Sequence, residues 1–206
     1  FLPGISIDPA KNLVVFEAEI AIDAMHPDTP VVYLELVACT PDTREHESLV
    51  VTRVRPSNIH AALLAIGAEP GAPGGFAWQE GAAAHIPASG EPIAVWLGAD
   101  GRPIVPPEAW VVSREAGEPW KPGGFVFAGS LIRDRQGATV YDADGTGVVI
   151  GLATFGSEVI APVTSFSPDA SVTAPEWIAD RAMIPPRGTP VKVVLEVRTA
   201  KQPSPG

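Results

Sequence analysis

The chain has 206 residues, 46% hydrophobic and 18% charged, so it is long enough to bury one sizeable core without disulfides and too apolar for wholesale disorder. Fourteen Lys and Arg against 24 Asp and Glu give a net charge of −10, which repels phosphate backbones and excludes nucleic acid as an expected partner. One cysteine allows no internal disulfide and no multi-cysteine zinc or iron–sulfur site, while 23 prolines and 20 glycines disfavour a helical bundle and suit short strands joined by turns.

Ile5 to Ile22 reads as a short strand, a turn over Asp8 to Asn12 and a longer strand. In the second strand Val14, Phe16, Ala18, Ile20 and Ile22 share one face, with Glu17, Glu19 and Asp23 on the other. A loop at His26–Pro30 leads to the apolar run Val31 to Ala38, interrupted by Glu35, and the polar turn Thr40 to Ser48 delivers a strand at Leu49 to Val54. Ser57 reads as an N-cap, Ile59, Leu63 and Ile66 recur at helical spacing, and Gly67 supplies the stop, which predicts one main helix over about 58–66. The tract Glu69 to Gly75 is too rich in proline and glycine for a regular element.

Further on, strand pieces are expected at Glu91 to Leu97 and Ala109 to Ser113, with a turn at Ala99-Asp-Gly101. Phe125 to Arg133, Ala138 to Tyr141 and Gly147 to Thr154 read as a meander turning at Asp134 to Gly137 and Asp142 to Gly145. Thr173-Ala-Pro-Glu176 has capping-box spacing for a short helix ending near Arg181, and Pro190 to Val197 is a final strand. No repeat or composition break demands two domains. The expectation is one α+β, β-rich domain over 1–197, mostly antiparallel sheet with the helix packed on it, followed by a loose tail at 198–206.

Several phrases resemble the YdjY-type domain of exported or lipid-anchored bacterial proteins. They are Cys39, the Glu45-His-Glu-Ser48 run, His60-Ala-Ala-Leu-Leu-Ala-Ile-Gly67 with Ala-Glu-Pro-Gly71, Phe125-Val-Phe-Ala-Gly-Ser130, Tyr141-Asp-Ala-Asp144 and Ile184-Pro-Pro-Arg-Gly-Thr-Pro190-Val191. The resemblance implies that family's fold and an extracytoplasmic setting, and it carries no established biochemical activity. The chain departs from the family pattern after Ile150, at Gly151-Leu-Ala-Thr-Phe-Gly-Ser157.

Cys39, His46 and His60 are the candidate metal ligands, because a soft thiolate with two imidazoles suits copper or zinc with an open position, and Glu45 or Glu47 offers a fourth donor. None of the spacings is a known metal pattern. The competing account buries Cys39 in the sheet, lets His46 bond a backbone carbonyl and sets His60 beside the apolar stripe. His46-Glu-Ser48 also invites a hydrolase reading with Ser48 as nucleophile, although no Gly-x-Ser-x-Gly elbow is present; alternatively Glu47 and Ser48 cap the turn. Asp142-Ala-Asp144-Gly-Thr-Gly147 begins like a calcium loop, but position twelve is Ala153, so a turn is expected. Trp78 and Trp120, flanked by Gly/Pro loops, are the aromatics to inspect for exposure.

The leading functional expectation is therefore a non-enzymatic, extracytoplasmic binding or assembly module whose partner is a protein or cell-envelope component. A copper- or zinc-binding accessory protein is the first alternative and a Ser48 hydrolase the second. No apolar run approaches the ~20 residues that span a bilayer as a helix, so no transmembrane segment is expected. The start at Phe1 fits removal of an export signal and fits a truncated beginning equally well; a periplasmic, cell-surface or secreted location, with a lipid anchor upstream of Phe1, is the localisation expected.

Overall fold

The computed structural model describes residues 2–24, 28–79, 82–135 and 137–198. In chain order it contains β1 (Ile5–Asp8), β2 (Leu13–Ile20), β3 (Leu36–Cys39), β4 (Ser48–Val51) and helix α1 (Pro56–Ala65). The short strands β5 (Pro70–Ala72), β6 (Gly75–Gln79), β7 (Ala82–Ile86) and β8 (Ser89–Gly90) precede the long β9 (Pro92–Ala99). Then come β10 (Val111–Ser113), β11 (Phe125–Phe127), β12 (Ile132–Arg135), β13 (Ala138–Tyr141) and the one-turn helix α2 (Asp142–Thr146). The chain continues through β14 (Val148–Gly151), β15 (Ile160–Pro162), β16 (Trp177–Ala179) and β17 (Pro190–Val197).

Period-2 alternation decides which side of these strands faces inward. Val14, Phe16 and Ile20 of β2, Ile93, Val95, Leu97 and Ala99 of β9, and Val191, Val193, Leu195 and Val197 of β17 are all buried in one cluster. Glu17 and Glu19 point to water, as their place in the alternation requires. Hydrogen bonding runs β2-β17-β9-β11-β15-β14-β3-β4, and β4 pairs back onto β2 through Glu19↔Val51 and Ile20↔Val50. Eight strands thus close into a barrel.

This overturns the expected α+β arrangement of an open sheet with a helix on its face. The helix has no sheet face to lie on. By the pairing directions, the last residues of β3, β4, β11 and β17 and the first residues of β2, β9, β14 and β15 gather at one end. Helix α1 leaves β4 at that end and buries Ile59, Ala62 and Leu63 in the same cluster as the barrel interior. The closure was hidden because it rests on a two-residue pairing, which leaves no periodic trace in the sequence.

Two features break the antiparallel pattern. β3 and β4 are parallel, and so are β14 and β15, and each pair is joined by only eight residues, 40–47 and 152–159. Parallel neighbours usually need a longer crossover. With β14 antiparallel to β3, the order β15-β14-β3-β4 has an approximate internal two-fold relation. The expected meander therefore does not form: β12 and β13 make a separate hairpin, and β14 returns beside β3.

Other local expectations are revised. Thr173 to Arg181 is no helix, because Trp177–Ala179 pairs with β10 and Leu34 N–H donates to the Trp177 carbonyl at 2.8 Å. The Glu69 to Gly75 tract is not irregular throughout, since β5 pairs with β8 and Gly75 opens the β6–β7 hairpin. Gly90 makes that crowding possible: it sits at φ +137°, and a Cβ there would lie 2.0 Å from the Phe127 carbonyl oxygen. Residues 25–27, which include the start of the His26–Pro30 loop, lie outside the described residues, as do Gln136 in the Asp134 to Gly137 turn and the tail from 199 onward.

Helix α1 starts two residues and ends one residue earlier than expected. Arg55 is its N-cap, Pro56 occupies the first helical position, and Ser57 lies inside the helix. Asp144 supplies the cap from α2: its Oδ1 accepts from Ser57 N–H at 2.8 Å, and its Oδ2 accepts from the Ser57 hydroxyl at 2.7 Å and from Arg55 at 2.8 Å. Gly67, at φ +86°, ends the helix as expected. Because Asp144 ties the two helices together and meets the exposed N-terminal dipole, Asp144→Ala should lower the unfolding free energy by roughly 1–2 kcal/mol in urea titrations, with little change in far-ultraviolet dichroism.

Candidate functional site

Cys39 closes β3 with no exposure to solvent. Burial raises its thiol pKa, opposed in part by hydrogen bonds from the Ser48 and Thr43 side chains, so the sulfur stays a thiol. Ser48 is likewise fully buried, and its hydroxyl donates to the Val50 carbonyl at 3.0 Å inside the barrel wall. His46 stands outside with 77% of its side chain exposed, its Nε2 3.7 Å from Glu47 Oε2. His60 lies at the helix-capped end, where its Nδ1 is 3.1 Å from the Gly129 carbonyl and 2.9 Å from the Tyr141 hydroxyl. Among the described residues, no group of three or more His, Cys, Asp and Glu is arranged to hold a metal ion.

The His60 contacts form a compact node. Tyr141 also donates to the Gly129 carbonyl at 3.0 Å, so His60 Nδ1 carries the proton that completes the triangle and Nε2 is left as the acceptor. Burial lowers the His60 pKa against the pull of the Gly129 carbonyl, and burial with the Asp144 charge raises that of Tyr141. Ser130, next to Gly129, has φ +56° and accepts from Ala143 N–H at 3.1 Å. Three phrases that are far apart in sequence, around His60, Gly129 and Tyr141, meet here and tie α1, β11, β13 and α2 together.

The Thr40–Ser48 connection carries a second cluster. Glu45 accepts from the backbone N–H of Asp42 at 2.6 Å and of Thr43 at 3.0 Å, fixing the turn that holds Asp42 at φ +62°. Desolvation pushes the Glu45 carboxyl up, but these amides outweigh it and lower its pKa. Arg44 bridges Glu47 at 2.5 Å and Glu35 at 3.4 Å while its guanidinium lies 4.4 Å above the Phe155 ring. Glu35 is pushed to about 7, first by burial and then by the Glu47 charge, so it holds a proton against its neighbour. Sequence gave one signal of this, the lone charge at 35 in an apolar run; Arg44 and Phe155 gave none.

A cleft of about 630 Å³ runs along the seam where the barrel closes. β1 and β4 share the same edge of β2, β1 pairing with Leu13 to Phe16 and β4 with Glu19 and Ile20. Glu17 and Ala18 fall between them, and the Thr52 hydroxyl donates to the Glu17 carbonyl at 2.6 Å. Arg53, Arg187, Glu17, Glu19, Asp42 and Glu45 line the cleft together with Pro41 and apolar residues that include Ile20, Val51 and Val54; Thr52 beside Arg53 bonds Glu17, and Gly188 beside Arg187 bonds Ile20. Among the described residues, none of Arg53, Arg187, Glu17 and Glu19 forms an ion pair. Of the two tryptophans singled out, Trp78 is 69% exposed on the β6–β7 hairpin, whereas Trp120 is buried against Phe125.

A family model described as the YdjY domain matches residues 5–196, which covers both helices, every barrel strand but for Val197, and all of the cleft lining but Pro3 and Gly4. The chain belongs to the YdjY domain family. Comparison with curated proteins and with solved structures finds no match. The second eight-residue return, residues 152–159, lies inside the matched span. Glu158 holds it by accepting from the backbone N–H of Phe155 and, at 3.2 Å, of Gly156.

Burial keeps Glu35 protonated in the folded chain to about pH 7, whereas an unfolded glutamate loses its proton near 4.5. Its contribution therefore favours the folded state at low pH and is lost as pH rises through 7. Glu35→Gln, which keeps a neutral hydrogen-bonding side chain, should match wild-type stability near pH 5 and exceed it at pH 8 by roughly 1–2 kcal/mol in urea unfolding. A separate check reads the thiol: Cys39 should be inert to a thiol-reactive dye in the native protein and react stoichiometrically in denaturant.

Proposed function

We propose that this YdjY domain is an extracytoplasmic, non-enzymatic binding module that receives its ligand in the seam cleft. The observation that carries this reading is the cleft itself, an open volume of about 630 Å³ lined by charged side chains of both signs that make no ion pairs with one another. That volume lies within the usual range for small-ligand sites. The groups considered for chemistry are occupied inside the fold: Ser48 bonds Val50, Cys39 is sealed as a thiol, and His60 is held by Gly129 and Tyr141. Copper or zinc binding would need the sealed Cys39 sulfur and the exposed His46 to converge with His60.

The extracytoplasmic part of the reading is supported by the resemblance of the quoted phrases to exported proteins and by the acidic balance of the chain. No helix among the described residues is long and apolar enough to cross a membrane.

A library of small acids, amines, sugars and peptides, screened by amide chemical shifts, tests the module. At least one compound should perturb amides lining the cleft, such as those of Ala18, Asp42 and Gly188, and Arg53→Glu with Arg187→Glu should remove the response. A turnover screen giving activity that disappears in Ser48→Ala or His60→Ala would overturn the non-enzymatic assignment. Fractionation of cells making the native protein should place it outside the cytoplasm, and a purely cytoplasmic pool would contradict that location.

A further inference from the structure

We propose that the seam cleft takes a short peptide bearing both a free ammonium and a free carboxylate, an inference that rests on the binding-module reading above. Six charged residues line the cleft: Arg53 and Arg187, against Glu17, Glu19, Asp42 and Glu45. A simple polyanion meets four carboxylates for two guanidiniums, and a simple polycation meets the guanidiniums. An amphoteric ligand satisfies both signs.

The two signs divide the roles. Arg53 and Arg187 are exposed and make no ion pair among the described residues, so their planar forks are available to grip a carboxylate through paired hydrogen bonds. Glu17 and Glu19 project outward from β2 in alternate positions and offer acceptors to an ammonium. Lys192 sits opposite Glu17 across the β2–β17 pair and Pro190 opposite Glu19, which leaves Glu19 the less compensated of the two. Glu45 is a positioning residue. Both its oxygens accept backbone N–H groups from the turn that carries Asp42 to the rim.

The peptide character follows from the backbone of the fork. Ile20 bonds Thr189 and Gly188 on the β17 side, so by alternation Ala18 faces β17 and Glu17 faces the fork, where it has no strand partner among the described residues. The Thr52 hydroxyl donates to its carbonyl, and its N–H is the backbone donor offered to a peptide carbonyl, with apolar Val51 and Val54 also lining the cleft.

The test uses trialanine, its N-acetyl form, its C-terminal amide and the doubly blocked form, titrated into the full chain at low ionic strength and followed by amide chemical shifts. Trialanine should perturb the cleft amides, and each single block should weaken binding about tenfold or more, the loss of one charge-assisted contact. Arg53→Gln with Arg187→Gln should erase the penalty for amidation, and Glu17→Gln with Glu19→Gln the penalty for acetylation. All four substitutions are at exposed positions, and unchanged urea midpoints would confirm intact folding. Equal binding of all four peptides, shifts that map away from the cleft, or no response to trialanine overturns the ligand class. If trialanine is silent while another library compound perturbs the cleft, the class falls and the binding module stands; if no probe perturbs the cleft, both fall.

Discussion

Everything in this molecule depends on the short pairing that joins β2 to β4. Among the described residues, Glu19↔Val51 and Ile20↔Val50 are the strand partners across the seam, reinforced by Ala21 N–H to the Leu49 carbonyl at 2.9 Å and by the Thr52 hydroxyl on Glu17. Closing there removes two exposed sheet edges at once. It also fixes where β4 ends, hence where α1 begins, and hence which end of the barrel is capped. The same seam cannot be longer, because β1 already occupies the first half of the β2 edge. Closure and cleft are therefore two results of one competition for a single strand edge.

The two eight-residue returns solve a shared steric problem with opposite electrostatics. A tight connection between parallel strands leaves backbone N–H groups pointing into the turn, and in each return a glutamate accepts two of them, Glu45 on one side and Glu158 on the other. Glu45 is near water and its pKa is lowered. Glu158 is fully buried, its Oε2 has no hydrogen-bond partner among the described residues, and desolvation raises its pKa despite the Phe155 and Gly156 amides, so the same device works there against a larger desolvation cost. The solvated return carries the rim of the cleft, whereas the buried one serves as packing, with Phe155 under Arg44.

Much of the fold was legible where a strand is long and alternates. β2 and β17 follow from their sequences because eight residues of period-2 patterning leave no competing reading, and α1 follows from its apolar spacing and Gly67. The barrel was not legible, since strands of three or four buried residues, such as β11, β14 and β15, read as apolar runs with no stated partner. The caps were misread for a related reason. Ser57 had the right chemistry to start a helix, but the group that caps it, Asp144, lies 87 residues away. At the site, the stretch from Cys39 to Ser48 drew attention for its histidine and cysteine, yet its contribution to the cleft is the turn fixed by Glu45. Arg53 and Arg187 carried no local signal, because an unpaired surface arginine looks like any other until the fold sets two of them beside one cleft.

The position of β17 has a kinetic consequence. The last strand lies between β2 and β9 and makes the most extensive pairings in the sheet, with residues 13–19 on one side and 93–99 on the other. Until it arrives, β2 and β9 are both open edges and the interior has no wall on that side. Contacts of such sequence separation make folding slow. A nascent chain of this kind stays unlocked until its final strand is available, so synthesis alone leaves a window in which the polypeptide is still threadable and in which its unpaired edges are open to aggregation.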